Sequence, residues 1–158
     1  MDARIDPCAA FGISLGDAHV IRNAGASARD ALRSLIISQQ LLGTREILLV
    51  KHTGCGMLTF TNEDARGIVK DRFGEEVLAR EKKKKEQGGG SGRGDGVDIE
   101  TLDFLPFADL EEAVREDLRF LKDCGVVLSG GPNGEEGGSS GWIYEVETGK
   151  VRPVAKKS

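Results

Sequence analysis

Hydrophobic and polar positions along the first third of the chain predict alternating strands and helices. Residues 19–22 form a β-prone run that ends in turn residues, which predicts a first strand. Ser27 is a typical helix N-cap, and the apolar residues after it recur at helical spacing, which predicts a helix ending at Gly43. Four consecutive apolar residues within 46–52 predict a strand covered on both faces, as in a parallel sheet. This order of elements predicts a right-handed crossover unit.

Two further helices are predicted downstream. Thr61 is placed to cap a helix over 62–73, which Gly74 would end. A second helix over 109–124 is clearly amphipathic, and Gly125 follows it as a natural C-terminal stop. The apolar stripe of this helix consists of Leu110, Val114, Leu118 and Leu121.

The remaining segments are two glycine-rich stretches and a pair of strands near the end of the chain. Residues 80–98 combine a dense charge run with many glycines, and 129–141 are again rich in glycine, so both are predicted to be flexible loops. A strand is predicted over 142–146, followed by a turn over 147–150 and a short strand at Val151.

Length and charge narrow the class of protein. The chain has 158 residues, which predicts one domain over 1–158. The order of strand, helix and strand predicts an α/β fold. A net charge of -4 argues against binding to nucleic acid or to anionic lipid. No stretch is apolar enough for a membrane helix, and no targeting signal is evident, so a cytoplasmic location is the default expectation.

A histidine and a cysteine lie where the strand over 46–52 ends. His52 and Cys55 can both reach one tetrahedral zinc ion, and glycines at 54 and 56 would let the backbone curl around it. The carboxyl end of a parallel strand is also where α/β sheets place ligand sites. The alternative is a turn with an incidental thiol, because this spacing alone is weak evidence.

A second pair of residues, near the start of the chain, could also take part in catalysis. Asp2 and Arg4 are two apart, so on an extended segment they project to the same face and can form a charge-assisted pair. Such a pair is often only a surface ion pair of small energetic value. In a functional site, the arginine would keep the carboxylate ionised and aimed at a metal-bound water.

Three motifs follow one another along the chain: Met1-Asp2-Ala3-Arg4-Ile5-Asp6-Pro7, Arg22-Asn23-Ala24-Gly25 and His52-Thr53-Gly54-Cys55-Gly56-Met57. Taken in this order, they resemble the β-class carbonic anhydrase family. The resemblance continues through the helix at 109–124 and returns at 141–150, but it does not include the glycine-rich stretches. It implies that family's α/β fold, a mostly parallel sheet flanked by helices, with one zinc ion per chain and reversible hydration of carbon dioxide to bicarbonate.

The resemblance also implies roles for individual residues. His52 and Cys55 correspond to zinc ligands, while Asp2 would orient the zinc-bound hydroxide and Arg4 would hold Asp2. In a closed state of the family, the residue corresponding to Asp2 ligates zinc directly, which makes Asp2 a further candidate ligand. The family is built from dimers, so the resemblance implies a homodimer or a higher homo-oligomer.

One family ligand has no counterpart in this sequence. The family's first zinc-binding cysteine would lie two residues before Asp2, ahead of Met1, and the first core strand would lie upstream too. We therefore expect a chain truncated upstream, or a fold that a partner completes. Neither Cys8 nor Cys124 is expected to replace that ligand, and His19 is expected to be a structural or surface residue.

Two alternative functions remain open on sequence grounds. A chain lacking a zinc ligand could be a non-catalytic relative that acts as an oligomerisation or regulatory module. A chain that keeps the zinc could instead hydrolyse a relative of carbon dioxide, such as carbon disulfide or carbonyl sulfide. The residues lining the substrate path would decide between the substrates, and one sequence does not identify them.

Overall fold

The structure is a computed structural model that describes residues 1–87, 96–128 and 137–154. The chain divides into two compact units, one formed by residues 1–58 and 107–158 and the other by residues 59–106. The helices are α1 (Pro7–Phe11), α2 (Ala28–Gln40), α3 (Asn62–Gln87) and α4 (Leu110–Asp123). The strands are β1 (Glu46–His52), β2 (Gly138–Glu145) and β3 (Lys150–Pro153).

The first unit contains a sheet with the strand order β1-β2-β3. β1 and β2 are parallel, and His52 at the end of β1 pairs with Tyr144. β2 and β3 are antiparallel and meet at the tight turn after Glu145, where Glu145 pairs with Lys150. The α/β class is therefore confirmed, and the predicted β1 has the predicted bounds. The carboxyl end of β1 places the His52 loop at one edge of the sheet.

Helix α4 covers one face of this sheet through the predicted apolar stripe. Asp109 caps the helix by accepting a hydrogen bond from the backbone N–H of Glu112 at 2.7 Å. Val114 and Leu118 pack against Leu49 of β1 and Ile143 of β2. A second apolar cluster joins α2, β1 and α4, and it contains Ala28, Ile47, Leu121 and Val127. The sheet, and with it the end of β1, is thus anchored from one side by α4.

Gly141 allows this close approach of α4 to β2. A Cβ atom at this position would clash with Val114 Cγ1 and lie 2.8 Å from Leu118 Cδ1. We expect Gly141→Ala to lower the free energy of unfolding by about 1–3 kcal/mol, because an added methyl in a packed core forces its neighbours to shift. Urea denaturation checks this, with Gly67→Ala as the matched control, since nothing lies within 4 Å of that Cβ. Equal midpoints for the two variants would contradict the packing.

The strand predicted over 19–22 is wrong. These residues form no strand in the described part of the chain, and Val20 and Ile21 are exposed. A strand is stabilised by the backbone hydrogen bonds of a neighbour, which a β-prone run cannot supply for itself. The predicted crossover unit therefore has no first strand in the part of the chain that the structure describes.

The predictions around α2 and β1 also need correction. Ser27 caps α2 as predicted, accepting from Asp30 N at 3.2 Å, but the helix ends at Gln40 instead of Gly43. The chain turns back early because Thr44 N donates to Ser38 O at 3.1 Å. β1 is not covered on both faces among the described residues, since Leu48 is 60% exposed. Although its apolar residues are consecutive, β1 therefore alternates between buried and more exposed positions.

The loop boundaries differ from the prediction as well. Residues 80–87 belong to α3. This helix is interrupted at Gly74, where the backbone has a non-helical φ of 75°, and it resumes after that residue. Lysine and glutamate are good helix formers, and the Lys84 ammonium pairs with Glu81 one turn earlier at 2.7 Å. Residues 138–141 form the first half of β2. The glycine-rich residues 88–95 and 129–136 lie outside the described residues.

The second unit consists of α3 and the segment that follows it. Thr61 and Asp64 form a reciprocal cap, each accepting the other's backbone N–H, at 3.2 and 2.8 Å. Asn62 donates to Asp103 Oδ1 at 2.9 Å, and Arg66 donates to the carbonyl of Ile99 at 3.2 Å.

Within the described ranges, no helix has the length and apolar character needed to cross a bilayer.

Candidate active site

Asp2 and Arg4 form the predicted ion pair with two parallel hydrogen bonds. Arg4 Nε donates to Asp2 Oδ1 at 2.9 Å, and Arg4 Nη2 donates to Asp2 Oδ2 at 2.7 Å. The backbone N–H of Arg4 adds a third bond to Oδ1 at 2.9 Å. The segment is a turn closed by Ile5 N donating to Asp2 O at 3.3 Å, so the pair does not come from alternation on an extended strand as predicted.

Two further contacts fix this pair in space. Arg4 Nη2 also donates to the carbonyl oxygen of Gly54 at 3.2 Å, which connects the pair to the loop after β1. The guanidinium of Arg22 donates to the backbone carbonyls of Asp2 and Ile5, the latter at 2.8 Å. Arg4 therefore holds the side chain of Asp2, and Arg22 holds its backbone.

His52 faces the Asp2 carboxylate. Its Nδ1 lies 2.9 Å from the carbonyl oxygen of Thr53, and a carbonyl only accepts, so this bond places the proton on Nδ1. In the neutral ring, the lone pair is then on Nε2, which lies 3.7 Å from Asp2 Oδ2. A backbone acceptor on one ring nitrogen is the usual way of orienting a metal-binding histidine.

Cys55 lies in the same loop, and its side chain is buried. The loop is fastened to the end of β2, because Thr53 N donates to Tyr144 O at 3.0 Å. The Thr53 hydroxyl donates to Glu147 Oε2 at 2.8 Å and accepts from Val146 N at 3.0 Å. Sequence reasoning missed Thr53 and Glu147. Thr53 stands inside the motif, but no spacing signal connects it with a residue so far along the chain.

The donor set matches zinc in chemical type. A buried thiol and an imidazole with a free Nε2 are the nitrogen and sulfur donors that zinc prefers. Within the described residues, no three His, Cys, Asp or Glu side chains are grouped to hold a metal ion. Asp2 is turned toward Arg4 in this structure, so the side chains that fit zinc here are those of His52 and Cys55.

The site also shifts the acidity of its carboxylates. Hydrogen bonds from the Arg4 side chain, and then from its backbone N–H, hold the pKa of Asp2 well below the ordinary value of 3.8. The pKa of Glu147 is lowered by a backbone hydrogen bond and by the Thr53 hydroxyl. Hydrogen bonding to Asp2 raises the pKa of Arg4. Asp2 therefore remains an anion at neutral pH, able to accept hydrogen bonds.

We expect Arg4→Gln to raise the pKa of Asp2 back toward 3.8, because both guanidinium bonds are lost. In the wild-type protein the folded-state pKa is below the unfolded one. The pair therefore stabilises the fold above pH 3.8, and this contribution is lost as the pH falls. Carbon-13 NMR titration of the Asp2 carboxyl measures the shift. An unchanged Asp2 titration in Arg4→Gln, with exposed Arg72→Gln as control, would refute the pairing.

The other candidate residues have different surroundings. Cys8 is exposed on α1, and Cys124 is half-buried at the end of α4 against an apolar cluster. His19 is exposed, and its Nδ1 lies 2.7 Å from the Ser38 hydroxyl. That neither cysteine replaces a zinc ligand stays a prediction.

Comparisons with known proteins identify the family of this chain. A family described as "Carbonic anhydrase" matches residues 1–151. Beta-carbonic anhydrase 1 of Mycobacterium tuberculosis is 57% identical over 75 residues, which are 47% of this chain and 46% of that protein. A carbon disulfide hydrolase of Saccharolobus solfataricus is 32% identical over 153 residues, covering 96% of this chain and 72% of that protein. The match thus spans about half the length of the mycobacterial relative.

Solved structures show the same likeness. A carbonic anhydrase from Glaciozyma antarctica superposes with a TM-score of 0.78 and 44% identity, covering 98% of this chain and 78% of that one. A carbonic anhydrase from Streptococcus mutans gives a TM-score of 0.75 and 40% identity over 98% of this chain and 77% of that one. The fold and these matches define an α/β protein of the β-carbonic anhydrase type. The chain belongs to the carbonic anhydrase family.

Proposed function

We propose that this chain catalyses the reversible hydration of carbon dioxide to bicarbonate with one zinc ion per chain. The observation that carries the proposal is the arrangement of Asp2, Arg4 and His52. An ionised carboxylate is held by two guanidinium bonds and faces the free nitrogen of an oriented imidazole at 3.7 Å. Membership in the carbonic anhydrase family supports the reaction class.

His52 Nε2 and the Cys55 thiolate would hold the zinc ion, which, when bound, lowers the pKa of a coordinated water toward neutrality. Asp2 accepts a hydrogen bond from the attacking oxygen nucleophile and so directs its lone pair at the carbon of carbon dioxide. Arg4 keeps Asp2 ionised and aimed. Thr53 holds the loop that carries both zinc-binding side chains.

Asp2 has a second proposed role as a zinc ligand. It would take this role only after releasing Arg4, because both carboxylate oxygens are engaged by the guanidinium in this structure. Such an exchange would close the site by occupying the position of the nucleophile.

We also propose a cytoplasmic location and a homodimer. Sedimentation would separate a defined dimer from polydisperse material.

Hydrolysis of carbon disulfide is the second candidate function. A relative matched over 96% of this chain is a carbon disulfide hydrolase, whereas the more identical mycobacterial match covers about half of the chain. The substrate is a linear molecule of the same type as carbon dioxide, so the same nucleophile and the same Asp2 would serve. What differs is the path by which the substrate reaches the site.

The experiment is a parallel assay of one purified sample. Zinc per chain is measured by plasma mass spectrometry, hydration of carbon dioxide by stopped flow, and carbon disulfide hydrolysis by release of hydrogen sulfide. About one zinc per chain with rapid hydration supports the proposal, and sulfide release without hydration favours the second candidate. A folded chain without zinc and without either activity would refute both and leave the non-catalytic alternative.

A further inference from the structure

Lys51 is a buried cation that the proposed chemistry does not use. Its side chain is 4% exposed, and it lies on β1 directly before His52. The ammonium donates to the carbonyls of Gly25 at 2.7 Å and Ala26 at 3.3 Å, and to Asp117 Oδ2 at 2.8 Å. Three acceptors match the three donors of an ammonium, which is what a buried charge needs to be tolerated.

The two carbonyls belong to an unusual turn. Gly25 and Ala26 both have left-handed backbone conformations, with φ of 67° and 49°, and alanine rarely adopts this region. Gly25 also packs tightly, since a Cβ there would lie 3.0 Å from Met57 Cγ. Lys51 thus bonds to two successive carbonyls of a strained turn and joins it to α4 through Asp117.

This turn leads directly to the proposed catalytic carboxylate. The side-chain amide of Asn23 accepts from Ser27 N and donates to Ser27 O, both at 2.8 Å, so the turn is closed as a unit. Arg22, at the start of the unit, donates to the backbone carbonyls of Asp2 and Ile5. A displacement of the turn would therefore move Arg22, and with it the backbone that carries Asp2.

We propose that Lys51, together with Asp117, is a positioning residue that holds the 23–27 turn and, through Arg22, sets the place of Asp2 opposite His52. Alternation along β1 directs neighbouring side chains to opposite faces, so Lys51 acts from behind the site. The catalytic consequence rests on the proposed function, whereas the positioning itself does not.

The test compares Lys51→Met with Lys70→Met, which removes an ammonium from an ion pair with Glu100 in the second unit. In Lys51→Met we expect faster hydrogen exchange of the Arg22 guanidinium protons, unchanged zinc per chain, and kcat/KM for hydration lower by about tenfold per folded site. Lys70→Met should match the wild type in all three measurements.

Two substitutions at position 117, one conservative and one not, distinguish a positioning role from simple destabilisation of the fold. Asp117→Asn keeps an oxygen acceptor for the ammonium and should retain slow Arg22 exchange and near-normal kcat/KM, whereas Asp117→Leu should resemble Lys51→Met. This series also decides the matter if Lys51→Met does not fold.

An unchanged rate of hydrogen exchange at the Arg22 guanidinium in folded Lys51→Met or Asp117→Leu would overturn the proposal. Faster hydrogen exchange with an unchanged kcat/KM would overturn the claim that this positioning affects catalysis. If the wild-type protein shows no hydration activity, the proposed function fails, but the exchange data still decide whether Lys51 positions the turn.

Discussion

Cys55→Ser is expected to abolish zinc binding and to lower the rate of carbon dioxide hydration by more than about a hundredfold. Loss of groups that only orient metal ligands costs about 10–100-fold, so loss of a ligand itself should cost more. A serine hydroxyl is a much weaker zinc ligand than a thiolate and is not deprotonated at neutral pH. Zinc per chain and stopped-flow hydration measure the two effects on the same sample.

The matched control for this variant is Cys124→Ser. Cys124 is half-buried at the end of α4 and is not part of the site, so its replacement should leave zinc content and hydration unchanged. Full zinc content in Cys55→Ser would show that the metal is held elsewhere. Loss of zinc in both variants would point to a general effect of thiol removal and contradict the assignment of Cys55.

Asp2→Asn is expected to reduce kcat/KM for hydration by about a hundredfold while zinc remains bound. Asparagine has nearly the same shape, but its amide nitrogen presents hydrogens where Asp2 accepts bonds from Arg4. The side chain is then neutral and no longer held in one orientation. The nucleophile loses the anionic acceptor that aims it.

Measurement of zinc together with kcat/KM separates the two roles proposed for Asp2. Retained zinc with slow hydration supports the orienting role, while loss of zinc would assign Asp2 as an essential ligand instead. Wild-type kcat/KM in Asp2→Asn would overturn both roles. The exposed residue Asp71 on α3 supplies the control, since Asp71→Asn should leave zinc and rate unchanged.

Local elements of this fold were predictable because their signals lie within a few residues. The bounds of β1 followed from its apolar run, and the apolar stripe of α4 identified its buried face. Residues 19–22 failed because a strand depends on a neighbour that local pattern does not contain. The helix over 80–87 was missed because a charged run without apolar residues has no periodicity to read.

The candidate site shows the same division. Histidine, cysteine, aspartate and arginine in short motifs made zinc and carboxylate chemistry possible, but their spacing alone was weak evidence. The resemblance of the ordered motifs to the β-class carbonic anhydrase family supplied the expected roles. The motifs did not show that Arg4 reaches the carbonyl of Gly54, or that Thr53 bonds to Glu147. Those contacts join segments far apart in the chain, so they exist only after the sheet and its loops are assembled.

By itself, the sequence therefore determined which chemical groups this protein offers and which local elements carry them. Only the tertiary structure decided how separate segments meet: Asp2 faces His52, Arg4 reaches the carbonyl of Gly54, and buried Lys51 holds a turn near Arg22. The physical reason is that residue type and period are local properties. Distances between side chains of separate segments depend instead on packing across the fold.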